Sequence, residues 1–306
     1  MSVLDLIGTV SGAGTAAEAI TQAHLDWEVT KERLKHPVTG EDGEGCAYAT
    51  MRGDNLRILK WGVSKGYHII QNRVAFDLVD NLVHTMGCRI LGAGEWRGGR
   101  RVFLRVGTGE LVEIPGAGSV RLELLFQNSH DTSMGQRCNM VVEDATSGAV
   151  LPPHRLSLAR AFSWRHTAAA EGLMAEATGV FSKMVANFRL CAGAYTRIAA
   201  HRLDLDESSR ILHRIYPRPE DGTDDPNQVH RQGVGEVFAA RAGTTGYDML
   251  VSVCHYIDAV QDRRRVSGVN RARSAVLGPG LKLKHLAFSE IEDLVDAGTS
   301  QIHANG

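Results

Sequence analysis

What the chain has little of narrows its class before any motif does. Net charge is only −1 over 306 residues, so no global excess of positive charge advertises a polyanionic partner. Aromatic residues make up just 6%, a thin supply for a protein built on stacking platforms. The five cysteines (Cys46, Cys88, Cys138, Cys191, Cys254) are odd in number and far apart. No Cys-x-x-Cys or Cys/His cluster has metal-ligand spacing, so no metal is expected, and buried free thiols in a reducing interior are. No apolar run approaches the roughly 20 residues of a membrane span, and the N-terminus lacks a basic segment followed by an apolar core. A cytoplasmic protein without a membrane partner is the expectation. Nothing resembles a Walker loop, and Gly92-Ala-Gly94-Glu-Trp-Arg-Gly98 has the wrong spacing for the dinucleotide fingerprint. Without a carboxylate pair or an activated nucleophile, an enzyme is disfavoured and no cofactor is expected.

What is present is an ordinary globular composition, 43% hydrophobic and 23% charged, with its charge unevenly spread. Between Gln261 and His285, Arg263, Arg264, Arg265, Arg271, Arg273, Lys282 and Lys284 face Asp262 alone. Arg89 to Arg105 holds five arginines against Glu95. Local fields, not the total, decide whether an anion is attracted. Arg263 to Arg273 therefore reads as a mobile arm or a second anion site.

The patterning predicts an α+β fold, an antiparallel sheet with packed helices followed by a mainly helical C-terminal half. Thr15-Ala-Ala-Glu18 reads as a capping box opening a helix from about Ala16 to Lys35. Two short strands follow, Ala47 to Arg52 and Leu56 to Val63. Asn72 is expected to cap a helix over Arg73 to Met86, with Gly87 ending it. Its stripe Phe76, Val79, Leu82 and Val83 should meet Val102, Leu104, Leu122 and Leu124 of the sheet that follows. Strands are expected through Val142 and near Phe162 to Thr167, and helices from Ala168 onward. The expected division is 1–45 (helix and linker), 46–167 (antiparallel core) and 168–306 (helical region, with the option that it covers the same core).

The hairpin around Trp96 to Arg105 is the leading candidate site. Its two glycines supply the turn, and period-2 geometry separates Val102, Leu104 and Val106 from Arg101, Phe103 and Arg105. With Trp96, Arg97 and Arg100 at the tip, such a face could hold a polyanion and stack flat rings. A solvated strand face with Phe103 under a helix is the plainer alternative. Asn128-Ser129-His130-Asp131 contains the letters of a hydrolase triad, but neighbours in sequence cannot converge as a triad must, and a turn reads better. Gly278-Pro-Gly280-Leu-Lys282, with Lys284, could bind one phosphate at a helix start, or could be a plain helix break.

These segments together resemble the phage/plasmid-like family known as domain of unknown function nine-three-two. The matching pieces are Gly62-Val63, Tyr67, Gln71-Asn72 and Phe76; Arg97-Gly98-Gly99-Arg100-Arg101-Val102; Asn128 to Asp131; Arg165-His166-Thr167; Tyr256 to Asp258; and Gly278-x-Gly280-x-x-Leu283-Lys284. They stand in family order over roughly residues 60 to 285. The chain departs from the family pattern at Cys138-Asn139-Met140 and the Asp144 to Pro153 insertion. The resemblance implies DNA metabolism or host takeover, and the element order is similar to Rad-fifty-two-type single-strand annealing proteins. The expected function is single-stranded DNA binding and annealing without nucleotide hydrolysis, by a homo-oligomeric ring or filament. Expected contacts are Trp96, Arg97, Arg100, Arg101, Phe103, Arg105, Asn128, His130, Arg165, Lys282 and Lys284. A protein-interaction or host-inhibiting factor, and a hydrolase using His130 and Asp131, are the alternatives.

Overall fold

The computed structural model describes residues 2–8, 10–35, 39–41, 48–154, 162–164, 177–220, 224–261 and 267–304. Its first half carries two antiparallel sheets. The smaller runs in the order β1 (Val29–Arg33), β2 (Tyr48–Arg52), β3 (Ile58–Val63). The larger is a meander of β4 (Arg89–Trp96), β5 (Arg101–Ile114), β6 (Gly118–Ser129), β7 (Gln136–Asp144) and β8 (Val150–Leu151), with β9 (Phe162–Trp164) also paired to β7.

Alternation along β5 and β6 decides how this sheet is covered. Val102, Leu104, Val106, Leu122, Leu124 and Phe126 share one buried cluster with Phe76, Val79 and Leu82 of helix α2 (Asn72–Met86). The stripe expected from the sequence is thus the one that packs. Gly87 adopts φ 65° and ends α2, a left-handed position where a Cβ would be strained. Helix α3 (Ala177–Ala200) lies on the same side and adds Phe188 and Tyr195 to that cluster. The opposite sheet face is closed too. A 3₁₀ turn (Val3–Leu6) and helix α7 (Gly268–Leu277) bring Val3, Leu4, Ala272, Ala275 and Val276 onto Trp96, Phe103, Leu125 and Val141. The chain passes so close to β4 that a Cβ on Gly92 would stand 1.9 Å from the Gly8 carbonyl oxygen.

The remaining helices are α4 (Leu205–Ile215), α5 (Gln228–Ala240), α6 (Gly246–His255) and α8 (Pro279–Ala304), α6 running into a π turn at Tyr256–Val260. Tyr247 of α6 and Phe288 of α8 join the main cluster. Among the described residues, no helix is long and apolar enough to cross a membrane.

Several local expectations are corrected. The first helix, α1, spans only Ala16–Gln22, and His24 at φ 54° turns the chain out of it. Val29 and Thr30 then pair with Arg52 and Met51 instead of continuing a helix, because ladder bonds and β-branched packing outweigh a thin helical stripe. Thr15 Oγ1 does cap α1, accepting from Glu18 N at 3.2 Å, but the Glu18 carboxylate accepts from Gly14 N at 2.8 Å rather than from the cap residue. Gln71 occupies the N-cap of α2. Asn72, one residue later, is buried and donates to the Leu25 carbonyl at 2.8 Å. β5 runs as one long strand with an irregularity between Gly107 and Leu111. The expected basic arm is, over Gly268–Leu277, a helix packed on the sheet; Arg263, Arg264 and Arg265 lie outside the described residues.

Candidate nucleic-acid interface

Two turns of backbone and one edge strand meet at one end of the sheets. Between β4 and β5, Arg97, Gly98 and Gly99 take φ values of 56°, 66° and 87° in succession, a tight left-handed reversal that glycine permits and that throws Arg97 and Arg100 into solvent. His130 N donates to the Arg100 carbonyl at 2.9 Å, holding the β6–β7 turn beside this reversal. Thr50 Oγ1 donates to the His130 carbonyl at 2.7 Å and so ties the small sheet to the same corner. Pairing of Thr50 with Lys60 and Ala49 with Trp61 then carries the edge strand β3 alongside.

The result is an open cleft of about 430 Å³ lined by Leu59, Lys60, Trp61, Arg97, Arg100, Asp131, Thr132 and Ser133. Lys60, Arg97 and Arg100 are exposed, and the Trp61 indole is 60% exposed. The Arg57 guanidinium lies against Gly98. Arg101 stands half-buried behind them and donates to Ser133 Oγ at 3.0 Å. Burial pushes its pKa down. Asp131 opposes that shift, while Arg97, Arg273 and Arg137 add to it, so several guanidiniums share one field here. Asp131 Oδ1 accepts from Ser133 N at 3.0 Å and from the Ser133 hydroxyl, shaping the turn. Burial, with Asp131 second, raises the pKa of the Tyr67 phenol, whose hydroxyl donates to the Ser129 carbonyl at 3.3 Å.

Of the residues expected from the sequence, Arg97 and Arg100 line the cleft and Arg101 backs it. The open Arg-Phe-Arg strand face is a correction. Phe103 is 1% exposed and stacks on buried Trp96, ring centroids 4.4 Å apart, beneath the 3₁₀ turn and α7. Arg105 is buried on the same face, its Nη2 and Nε donating to Glu123 Oε2 at 3.0 and 3.2 Å, and it donates to the Leu4 carbonyl. Buried apolar area outweighs solvation for these rings, and Glu123 neutralises the one charge that must go with them. Asn128 and His130 are likewise buried. Asn128 Nδ2 donates to the Ile70 carbonyl at 2.8 Å, while His130 Nε2 meets Asn72 Oδ1 at 2.8 Å and its ring packs edge-on to Trp27. The buried His130 ring and the turn-forming Asp131 carboxylate are thus engaged with different partners.

The expected phosphate site before α8 is a second correction. Gly280 N donates to Ser274 Oγ at 3.0 Å and Lys282 N to the Gly278 carbonyl at 3.3 Å, so those amides are already used. Lys284 is fully buried, with Nζ 2.5 Å from Asp258 Oδ1 and donating to the Val150 carbonyl at 2.8 Å. Lys282 alone is exposed there, and Arg165 lies outside the described residues. Among the described residues, no group of three or more His, Cys, Asp or Glu side chains could hold a metal ion.

Sequence reasoning misses Lys60, Trp61, Asp131 and Ser133 as partners in one site. No local signal announces Lys60 and Trp61: strict alternation in a strand buries one of two neighbours, yet β3 exposes both.

The family described as Domain of unknown function (DUF932) matches residues 62–276. The chain belongs to this family. Its match contains both turns of the cleft, Arg97 to Arg100 and Asp131 to Ser133, and begins one residue after Trp61. No curated protein and no solved structure matches the chain.

Proposed function

We propose that this protein binds single-stranded DNA in the cleft between β3 and the two turns, and anneals strands without nucleotide hydrolysis in recombination or replication of the phage or plasmid type. One observation carries the binding step: Lys60, Arg97 and Arg100 line the same open cleft as the exposed Trp61 ring. Cations neutralise phosphates irrespective of sequence, and an indole in solvent offers a stacking surface to any base. A base already paired and stacked in a duplex cannot reach that ring, so single strands are the preferred form. The annealing step and assembly into a ring or filament rest on the likeness in element order to Rad-fifty-two-type proteins.

Titration of a labelled single-stranded oligonucleotide across salt concentrations, with light scattering for assembly size, tests this reading. Binding should weaken with salt. The paired change Arg97→Ala and Arg100→Ala should flatten the log–log slope by about 0.7 for each phosphate that is no longer neutralised. A chain that scatters as a monomer and ignores single strands would overturn the proposal and shift the role to protein contacts.

A further inference from the structure

The cleft contains one group that a purely phosphate-binding groove would not have. Asp131 lines it, and its side chain stands among Arg97, Arg100, Arg101 and Lys60. A carboxylate on a cationic rim weakens attraction for phosphate. Among the described residues it forms no ion pair that would cancel its charge: Oδ1 is occupied by the Ser133 amide and hydroxyl, and no hydrogen bond reaches Oδ2. The residue is only 8% exposed, and its backbone is held by the β6–β7 turn, with Thr132 beside it at φ 60°. Oδ2 is thus a positioned acceptor at the cleft wall, left for whatever enters the cleft.

Resting on the single-strand reading, we infer that Asp131 reads the base stacked on Trp61 and selects bases that carry an exocyclic amine. Such a base has a shape suited to the site. Its ring lies on the indole, its phosphates meet Lys60, Arg97 and Arg100, and its amine donates to Asp131 Oδ2. Cytosine N4, adenine N6 and guanine N2 provide that donor. Thymine and uracil carry one ring N–H between two carbonyl oxygens, and those oxygens would face the carboxylate. A site that hydrogen-bonds a substrate group rejects the analogue lacking it, because its own polar atom loses water on binding and is then left unpaired. The carboxylate therefore filters bases while the cations supply affinity.

The test compares binding of the full chain to labelled homopolymeric oligo-dC, oligo-dA and oligo-dT of equal length by fluorescence anisotropy, for the parent and Asp131→Asn. Asn keeps an oxygen for the Ser133 amide and presents an N–H₂ group where Oδ2 stood. The parent should favour dC and dA over dT by about tenfold, and Asp131→Asn should erase or invert that ratio. Comparing that ratio between parent and variant cancels the differing stiffness of the strands. A second measurement needs no variant: an oligonucleotide of pyrimidin-2-one nucleosides, cytosine without its amine, should bind the parent about tenfold more weakly than oligo-dC. Tight binding with no preference among dC, dT and the amine-free strand would overturn the inference and leave the single-strand reading standing. Failure of the parent to bind any strand would remove both.

Discussion

Replacing Lys284 with methionine separates a structural lysine from a ligand-binding one. Lys284 is 0% exposed, with Nζ 2.5 Å from Asp258 Oδ1 and hydrogen bonds to the Val150 and Ala275 carbonyls at 2.8 and 3.4 Å. Asp258 Oδ2 in turn accepts from Val150 N at 2.9 Å, so the pair staples β8 to the π turn and α8. Methionine matches the lysine stem in volume and creates little cavity. The loss is electrostatic, since the Asp258 carboxylate is left buried without its cation, an arrangement that costs about 3–5 kcal/mol. Burial already raises the Asp258 pKa against the opposing pull of Lys284, so the variant should escape part of the penalty by protonating, and its deficit should shrink as pH falls. Urea unfolding at pH 7 with Lys284→Met, Asp258→Asn and the double variant measures this. The double should be more stable than the sum of the singles implies, by roughly 1–3 kcal/mol. A single-variant loss below about 1 kcal/mol, or strict additivity, would refute the reasoning.

Phe103→Ala should destabilise the protein by about 3–5 kcal/mol, because the ring is sealed between Trp96 and α7, while single-strand binding per folded molecule stays at the parent value. Anisotropy titrations normalised to the folded fraction read both effects. His255 and His285 have pKa values lowered by burial, His285 also by Lys284, so the folded chain holds them neutral while the unfolded chain protonates them below about pH 6.5. Their contribution is complete above that pH and is lost as pH falls toward their folded pKa. The melting temperature should drop from pH 7 to 5.5, less steeply in His255→Gln and His285→Gln. Buried Glu143, raised in pKa by burial, works in the opposite direction and serves as the comparison.

The α+β order, the α2 stripe and the β5–β6 alternation are legible because period 2 and period 3.6 are local properties that burial enforces on both partners. Gly87 and the Arg97 to Gly99 reversal are legible for the same kind of reason, since left-handed backbone leaves a mark in residue type. Hidden from the sequence is which sheet face a distant segment covers. Residues 3–6 and 268–277 close over Phe103 and Arg105 from opposite ends of the chain, and no local pattern announces that pairing. An alternating Arg-Phe-Arg strand is compatible with solvent, a ligand or a lid. The same limit explains the helix expected to reach Lys35: residues 29–33 find their partner strand at residues 48–52, and ladder pairing overrides helical spacing. Trp61 carries no local mark either, because its exposure depends on what covers that face of β3.

Trp61→Ala gives the most direct test of the central claim that the cleft takes single strands through its exposed indole and its cations. Truncating a side chain already 60% in solvent should leave the unfolding midpoint nearly unchanged. Single-strand binding should weaken by about 1–3 kcal/mol while the slope of log affinity against log salt is retained, because a stacked ring releases no counterions. Parent-like affinity in the folded Trp61→Ala chain would contradict the account.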